Sequence, residues 1–145
     1  MRKSDISNLI FIVSSIFSFI ILWGFPDLDI SLFGIRWHRN FIFHSIIIPF
    51  ILYKLLLSKK EKILSFLSNG IIFGAAISIG VHLIIDVFQP KNVHFIIVST
   101  LVRKTLIDDN IWLGLNGILG LLIAKKVNDA RVENVKDIKR KSKIE

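Results

Sequence analysis

The sequence contains no cysteine, which excludes disulfide stapling and any metal site built on thiolates. A metal held by this chain needs imidazole, carboxylate, amide or backbone oxygen ligands. An Ala-x-Ala-like cleavage site is also missing. The basic start Met1-Arg2-Lys3 leads into an apolar run that ends in Trp23-Gly24-Phe25-Pro26-Asp27, so the expectation is an uncleaved first transmembrane helix. The composition of a soluble domain is lacking too. Of 145 residues 52% are hydrophobic, mean hydropathy is +0.62, and the apolar residues lie in long blocks. These features predict an integral membrane protein of one domain.

Acidic residues are the scarcer charge, 11 against 19 Lys and Arg, for a net charge of +8. The basic residues lie mostly between and after the apolar blocks, so they speak to membrane orientation first, and no nucleic-acid partner is expected. Four membrane helices are predicted, all-α, over about 7–25, 41–57, 70–88 and 111–124. At 1.5 Å per residue the first spans about 28 Å, close to the ~30 Å hydrocarbon thickness. Pro49 should kink the second. The third carries Gly70-x-x-x-Gly74 and Ala76-x-x-x-Gly80, small residues that let helices approach closely in lipid. Lys125 and Lys126 extend the fourth by snorkelling their charged ends into water.

Two apolar pieces, 63–67 and 93–102, are too short to span and read as interfacial segments, the second just before the last helix. The chain then divides into a transmembrane unit, 1–126, and a basic tail, 127–145. Acidic Asp129, Glu133, Asp137 and Glu145 interrupt that tail, which fits a solvated helix near anionic lipid headgroups. Fourteen of the 19 basic residues fall on one side of this topology. The positive-inside rule therefore puts both termini in the cytoplasm, with Trp23, Trp37 and Trp112 in the opposite, outer interface.

Three polar clusters then share one depth. Pro26-Asp27-Leu28-Asp29 follows the first apolar run, Trp37-His38-Arg39-Asn40 through His44-Ser45 opens the second, and His82-Leu83-Ile84-Ile85-Asp86 closes the third. Polar groups at the edge of hydrocarbon are costly and usually have a task. His82 and Asp86 are four residues apart and share a helix face, where they can grip one ion. His44, expected one turn into the second helix, can face them. Asp27, Asp29, His38, His44, His82 and Asp86 are the candidate metal ligands. A set of His and Asp without thiolate suits Zn²⁺, with Mn²⁺ or Fe²⁺ as alternatives, as one catalytic ion or two. Such an ion activates water and polarises a phosphoryl or acyl oxygen. Arg39 is a candidate phosphate clamp, and Ser45 a hydrogen-bond donor supporting the ligands. His94 has no partner at helical spacing, and Asp108 and Asp109 suit capping of the last helix.

Pro26-Asp27-x-Asp29, His38-Arg39-(x)4-His44-Ser45 and His82-x-x-x-Asp86, in this order on successive apolar helices, resemble the small bacterial and archaeal membrane-bound proteins called predicted metal-dependent hydrolases. The resemblance covers roughly 25–90. It implies a helical integral membrane protein whose His and Asp residues form a hydrolase-like metal site. Asn40 stands where many relatives have Gly, and Phe43 where they have Thr; neither is a proposed ligand, so the departures bear on substrate fit. The His-x-x-x-Asp element also looks like one in the all-helical zinc phospholipase C and P1 nuclease group. The expectation is a metal-dependent hydrolase of the prokaryotic cytoplasmic membrane, working at the outer interface on a phosphoester or acyl bond of a lipid or other substrate. The alternative is a non-enzymatic membrane protein, such as a transporter or an accessory or immunity-type protein, with a structural or proton-relay His/Asp network.

Overall fold

A computed structural model describes residues 3–35, 38–56, 62–89 and 109–141. The expected interfacial piece at 93–102, with His94, lies outside these residues, as do Trp37 and Asp108. Five helices form and no strand is present among the described residues: α1 (Lys3–Trp23), α2 (Leu28–Phe33), α3 (Ile47–Leu56), α4 (Lys62–Val87) and α5 (Asp109–Lys141). Three stretches are long and apolar enough to cross a membrane, Asp5–Phe33, Leu64–Val87 and Asn110–Lys141.

Helix α4 is the central element because small residues line two of its faces. Gly70 and Gly74 meet α1: a Cβ at Gly70 would strike Ser14 and the Phe11 carbonyl, and one at Gly74 the Ser15 carbonyl. Helix α1 answers with Ser7, Phe11, Ser14, Ser15 and Ser18, all buried along one helix face. Its other residues, such as Leu9, Ile12, Val13, Ile16 and Phe17, remain exposed, as a lipid-facing surface requires. Ser18 Oγ donates to the Ile71 carbonyl and Ser78 Oγ to the Phe19 carbonyl. These bonds, worth about 0.6 kcal/mol each in membrane helices, pin a parallel pair. On its second face α4 sets Ala76 and Gly80 against Gly117 and Gly120 of α5, an antiparallel contact close enough for backbone to touch backbone.

The expected second span is shorter than predicted. Residues 41–46 form turns, and α3 has only 10 residues, about 15 Å or half the hydrocarbon thickness. The local polar groups explain the late start. The His44 N–H donates to the Asn40 carbonyl, the Ile42 N–H to Asn40 Oδ1 and the Ile47 N–H to Ser45 Oγ. Ser45 thereby caps α3, and its own hydroxyl donates to the Ile42 carbonyl. Pro49 sits in the first turn of α3, where a missing N–H costs nothing.

Helix α4 starts earlier than predicted and absorbs 63–67, with Phe66 buried in the bundle. Helix α5 runs unbroken past residue 126, with Val127 fully buried. Arg131 lies over the Phe11 ring and donates to Asn8 Oδ1. The start of α1 and the far part of α5 therefore share one end of the bundle. The opposite end carries the polar clusters, above a floor of Ile79, Leu83 and Leu113 flanked by Phe25, Phe41 and Trp112.

Candidate metal centre

Each candidate ligand reaches this end by a different device. Helix α1 ends at Trp23, and turns at 24–27 lead into α2. In α2, Asp29 points inward and is fully buried, while Leu28, Leu32 and Phe33 point out. His38 to Ser45 form a turn pressed between α2, α4 and α5. Bonds to all three helices hold it there. Asp29 Oδ2 accepts the Asn40 N–H at 2.8 Å, and Arg39 Nη2 donates to the Asp86 carbonyl at 2.8 Å. Trp112 Nε1 donates to the His44 carbonyl at 2.9 Å, and Asn116 Oδ1 accepts the Ile46 N–H at 3.2 Å. Arg39 takes a left-handed backbone conformation, φ 68°, which costs a non-glycine residue about 1 kcal/mol or more. The bonds on either side of it hold that strain in place.

All six predicted ligands converge. Asp29 Oδ1 lies 3.2 Å from His38 Nδ1, and its Oδ2 lies 3.3 Å from His44 Nδ1. His44 Nε2 faces Asp86 Oδ2 at 3.3 Å. His82 Nε2 lies 3.6 Å from that same Asp86 oxygen and 3.8 Å from Asp27 Oδ1, which is 3.9 Å from His38 Nδ1. Two groups, Asp27–His44–His82 and Asp29–His38–His44, each present ligand atoms within 4.8 Å of one another, so the buried His and Asp groups are able to hold a metal ion. His82 Nδ1 makes a 3.1 Å hydrogen bond to the Trp23 carbonyl, an acceptor. That bond fixes the tautomer and leaves the Nε2 lone pair for a cation.

Both ring nitrogens of His44 and Oδ2 of Asp86 are buried, and none makes a hydrogen bond among the described residues. They sit 3.3 Å from oxygens or nitrogens without the alignment a hydrogen bond needs. Buried polar atoms are rarely left so, because each costs about 1–3 kcal/mol. The spacing suits an ion instead: ligand bonds of about 2.0–2.1 Å in a tetrahedron put neighbouring ligand atoms roughly 3.3 Å apart. Charge points the same way. With neutral imidazoles, Asp27, Asp29 and Asp86 against Arg39 leave two negative charges in a nearly dry site, which one divalent ion balances.

Arg39 and Ser45 are where the sequence pattern put them, but both are engaged. The Arg39 guanidinium is fully buried on the last turn of α4, 3.9 Å from Asp86 Oδ1, and it holds Asp86 in place. Ser45 is bonded to backbone as described above. Asn40, Trp112 and Asn116 position the site and were not picked out from the sequence. Asn116 had a readable signal, a lone amide in an otherwise apolar helix. Trp112 had none, since an interfacial tryptophan looks the same whether or not its N–H has a specific acceptor. Compared with protein-family models, with curated proteins and with solved structures, the chain has no match.

Proposed function

We propose that this chain is a membrane-bound metal-dependent hydrolase, with both termini cytoplasmic and its site at the outer interface of a prokaryotic cytoplasmic membrane. The observation that carries the reading is the set of buried, mutually facing His44 and Asp86 atoms that lack hydrogen bonds. Asp27, His44, His82 and Asp86 are the ligand set, and Zn²⁺ is the ion their chemistry fits best, ahead of Mn²⁺ or Fe²⁺. Bound there, the ion supplies Lewis-acid activation of water and of a phosphoryl or acyl oxygen. The remaining residues do the positioning. Asp29 orients His38 through its Nδ1 atom and faces His44 Nδ1 at 3.3 Å, the Trp23 carbonyl orients His82, and Arg39 anchors Asp86. Asp27, whose side chain is 46% exposed, marks the side from which a substrate arrives. The resemblance drawn from the sequence motifs supports the same reading.

The chain of contacts from His38 through Asp29, His44, Asp86 and His82 to Asp27 also favours a second reading, a proton-relay network in a non-enzymatic protein. A relay needs hydrogen bonds at every link, and the His44 links lack them. Metal-loaded protein in lipid, tested on phosphodiester, phosphomonoester and ester substrates, separates the two readings. Wild type should turn over at least one class and His82→Ala none. Indistinguishable wild type and His82→Ala across the panel would sink the hydrolase reading.

A further inference from the structure

The ligand set proposed above leaves Asp29 and His38 without an ion. With His44 they form the second of the two groups whose ligand atoms lie within 4.8 Å of one another. Asp29 Oδ1 is 3.2 Å from His38 Nδ1, and its Oδ2 is 3.3 Å from His44 Nδ1. This is the spacing that argues for an ion on the opposite edge of His44 as well. Asp27 Oδ1 stands between the two halves, 3.8 Å from His82 Nε2 and 3.9 Å from His38 Nδ1.

His44 itself supplies an independent observation. Its side chain is fully buried, and neither ring nitrogen makes a hydrogen bond among the described residues. Nε2 faces Asp86, and Nδ1 faces Asp29. A neutral imidazole has one N–H and one lone pair, so two carboxylates at its opposite edges cannot both accept from it. With one ion at Nε2, the Nδ1 proton turns to Asp29. With a second ion at Nδ1 that proton leaves, and both nitrogens bind through lone pairs.

We infer that Asp29, His38 and His44 Nδ1 form a second divalent-cation site, joined to the first through the His44 ring. It rests on the metal-hydrolase reading and adds a cation to that centre. Charge sets its strength. Asp27, Asp29 and Asp86 against Arg39 and one divalent ion sum to zero. The second ion displaces the His44 ring proton and shifts the His38 ring proton from Nδ1 to Nε2. One proton leaves, and the cluster then carries one net positive charge. The second ion therefore binds more weakly than the first, and protein purified without added metal retains only the first. The excess positive charge suits an anionic group such as a phosphoester.

The test titrates metal-free, full-length protein in detergent with Cu²⁺, which suits imidazole ligands and meets no thiol in a chain without cysteine. Bound ion is counted by equilibrium dialysis and followed by low-temperature electron paramagnetic resonance. Wild type should bind two ions, the second at least ~100-fold more weakly than the first, because it must displace a proton from a cluster already neutral. The first equivalent should give a full signal. The second should largely abolish it, since one imidazole then couples the two unpaired electrons. His38→Ala should keep the first ion with its signal and lose the second. If His38→Ala does not fold, the loss of signal at two equivalents in wild type carries the test by itself. Saturation of wild type at one ion overturns the second site and leaves the first standing. A second ion whose signal merely adds to the first, or that His38→Ala retains, is an adventitious ion only and overturns it equally. Failure to bind any Cu²⁺ removes the metal centre and this inference with it.

Discussion

Asp29→Asn is the substitution that probes the design of the centre most finely. The native carboxylate is fully buried, bonded to the Asn40 N–H at 2.8 Å and His38 Nδ1 at 3.2 Å, and it faces His44 Nδ1 at 3.3 Å, where it can hold that ring once an ion orients it. An amide of the same shape keeps one acceptor and turns the other oxygen into a donor. If the NH₂ faces His44, Nδ1 must accept, the ring proton moves to Nε2, and that nitrogen no longer binds a cation. If the NH₂ faces His38, that ring loses its orientation instead. Loss of a carboxylate that orients metal-binding histidines typically lowers metal affinity 10–100-fold, about 1.4–2.8 kcal/mol. A direct ligand such as His44 or Asp86 should cost far more. The assay is competition with a chromophoric chelator for Zn²⁺ in detergent, with thermal unfolding of the metal-free protein as a control on folding. An Asp29→Asn affinity within twofold of wild type would refute the orienting role. A loss as complete as that of His44→Ala would make Asp29 a ligand in its own right.

Gly74→Leu should separate α1 from α4, because its side chain meets the Ser15 carbonyl, backbone that cannot rotate away. A loss of about 1–3 kcal/mol is expected from such overpacking, read as a lower Tm by tryptophan fluorescence, with metal content falling as the Trp23–His82 contact shifts. Trp112→Phe removes the N–H that holds the His44 carbonyl. It should cost about 1 kcal/mol of stability and speed metal release in a chelator chase, whereas unchanged release would make the bond incidental. For topology, reporter fusions at Lys62 and Glu145 should read cytoplasmic and one near Phe33 periplasmic; the opposite pattern would invert the proposed orientation.

The clusters were legible in the sequence because charged and imidazole groups at the ends of apolar runs are expensive, and three of them fell at one inferred depth. His82 and Asp86 do share a helix face, and the Gly70/Gly74 and Ala76/Gly80 pairs do mark helix contacts. The start of α3 was less legible. Residues 41–46 are apolar enough to look helical, and only the side-chain bonds of Asn40 and Ser45 to nearby backbone, with the long-range bonds from Asn40 to Asp29 and from Trp112 to His44, show that the backbone turns there first. The roles within the site were also hidden. Asp27 and Asp29 are two residues apart in one motif, yet one opens to the surface and the other is sealed beneath two imidazoles. Arg39 reads as a phosphate clamp until its guanidinium is seen spent on the end of α4. Which groups a buried side chain serves depends on long-range contacts that no local spacing encodes.

The proposed function stands on a divalent ion held by Asp27, His44, His82 and Asp86. The most direct measurement is elemental analysis of the protein purified in detergent without added chelator, beside His44→Ala and Asp86→Ala prepared identically. Close to one divalent ion per wild-type chain is expected, zinc foremost, with loss of most of it in both variants. Metal near zero in wild type, or equal content in all three proteins, would contradict it.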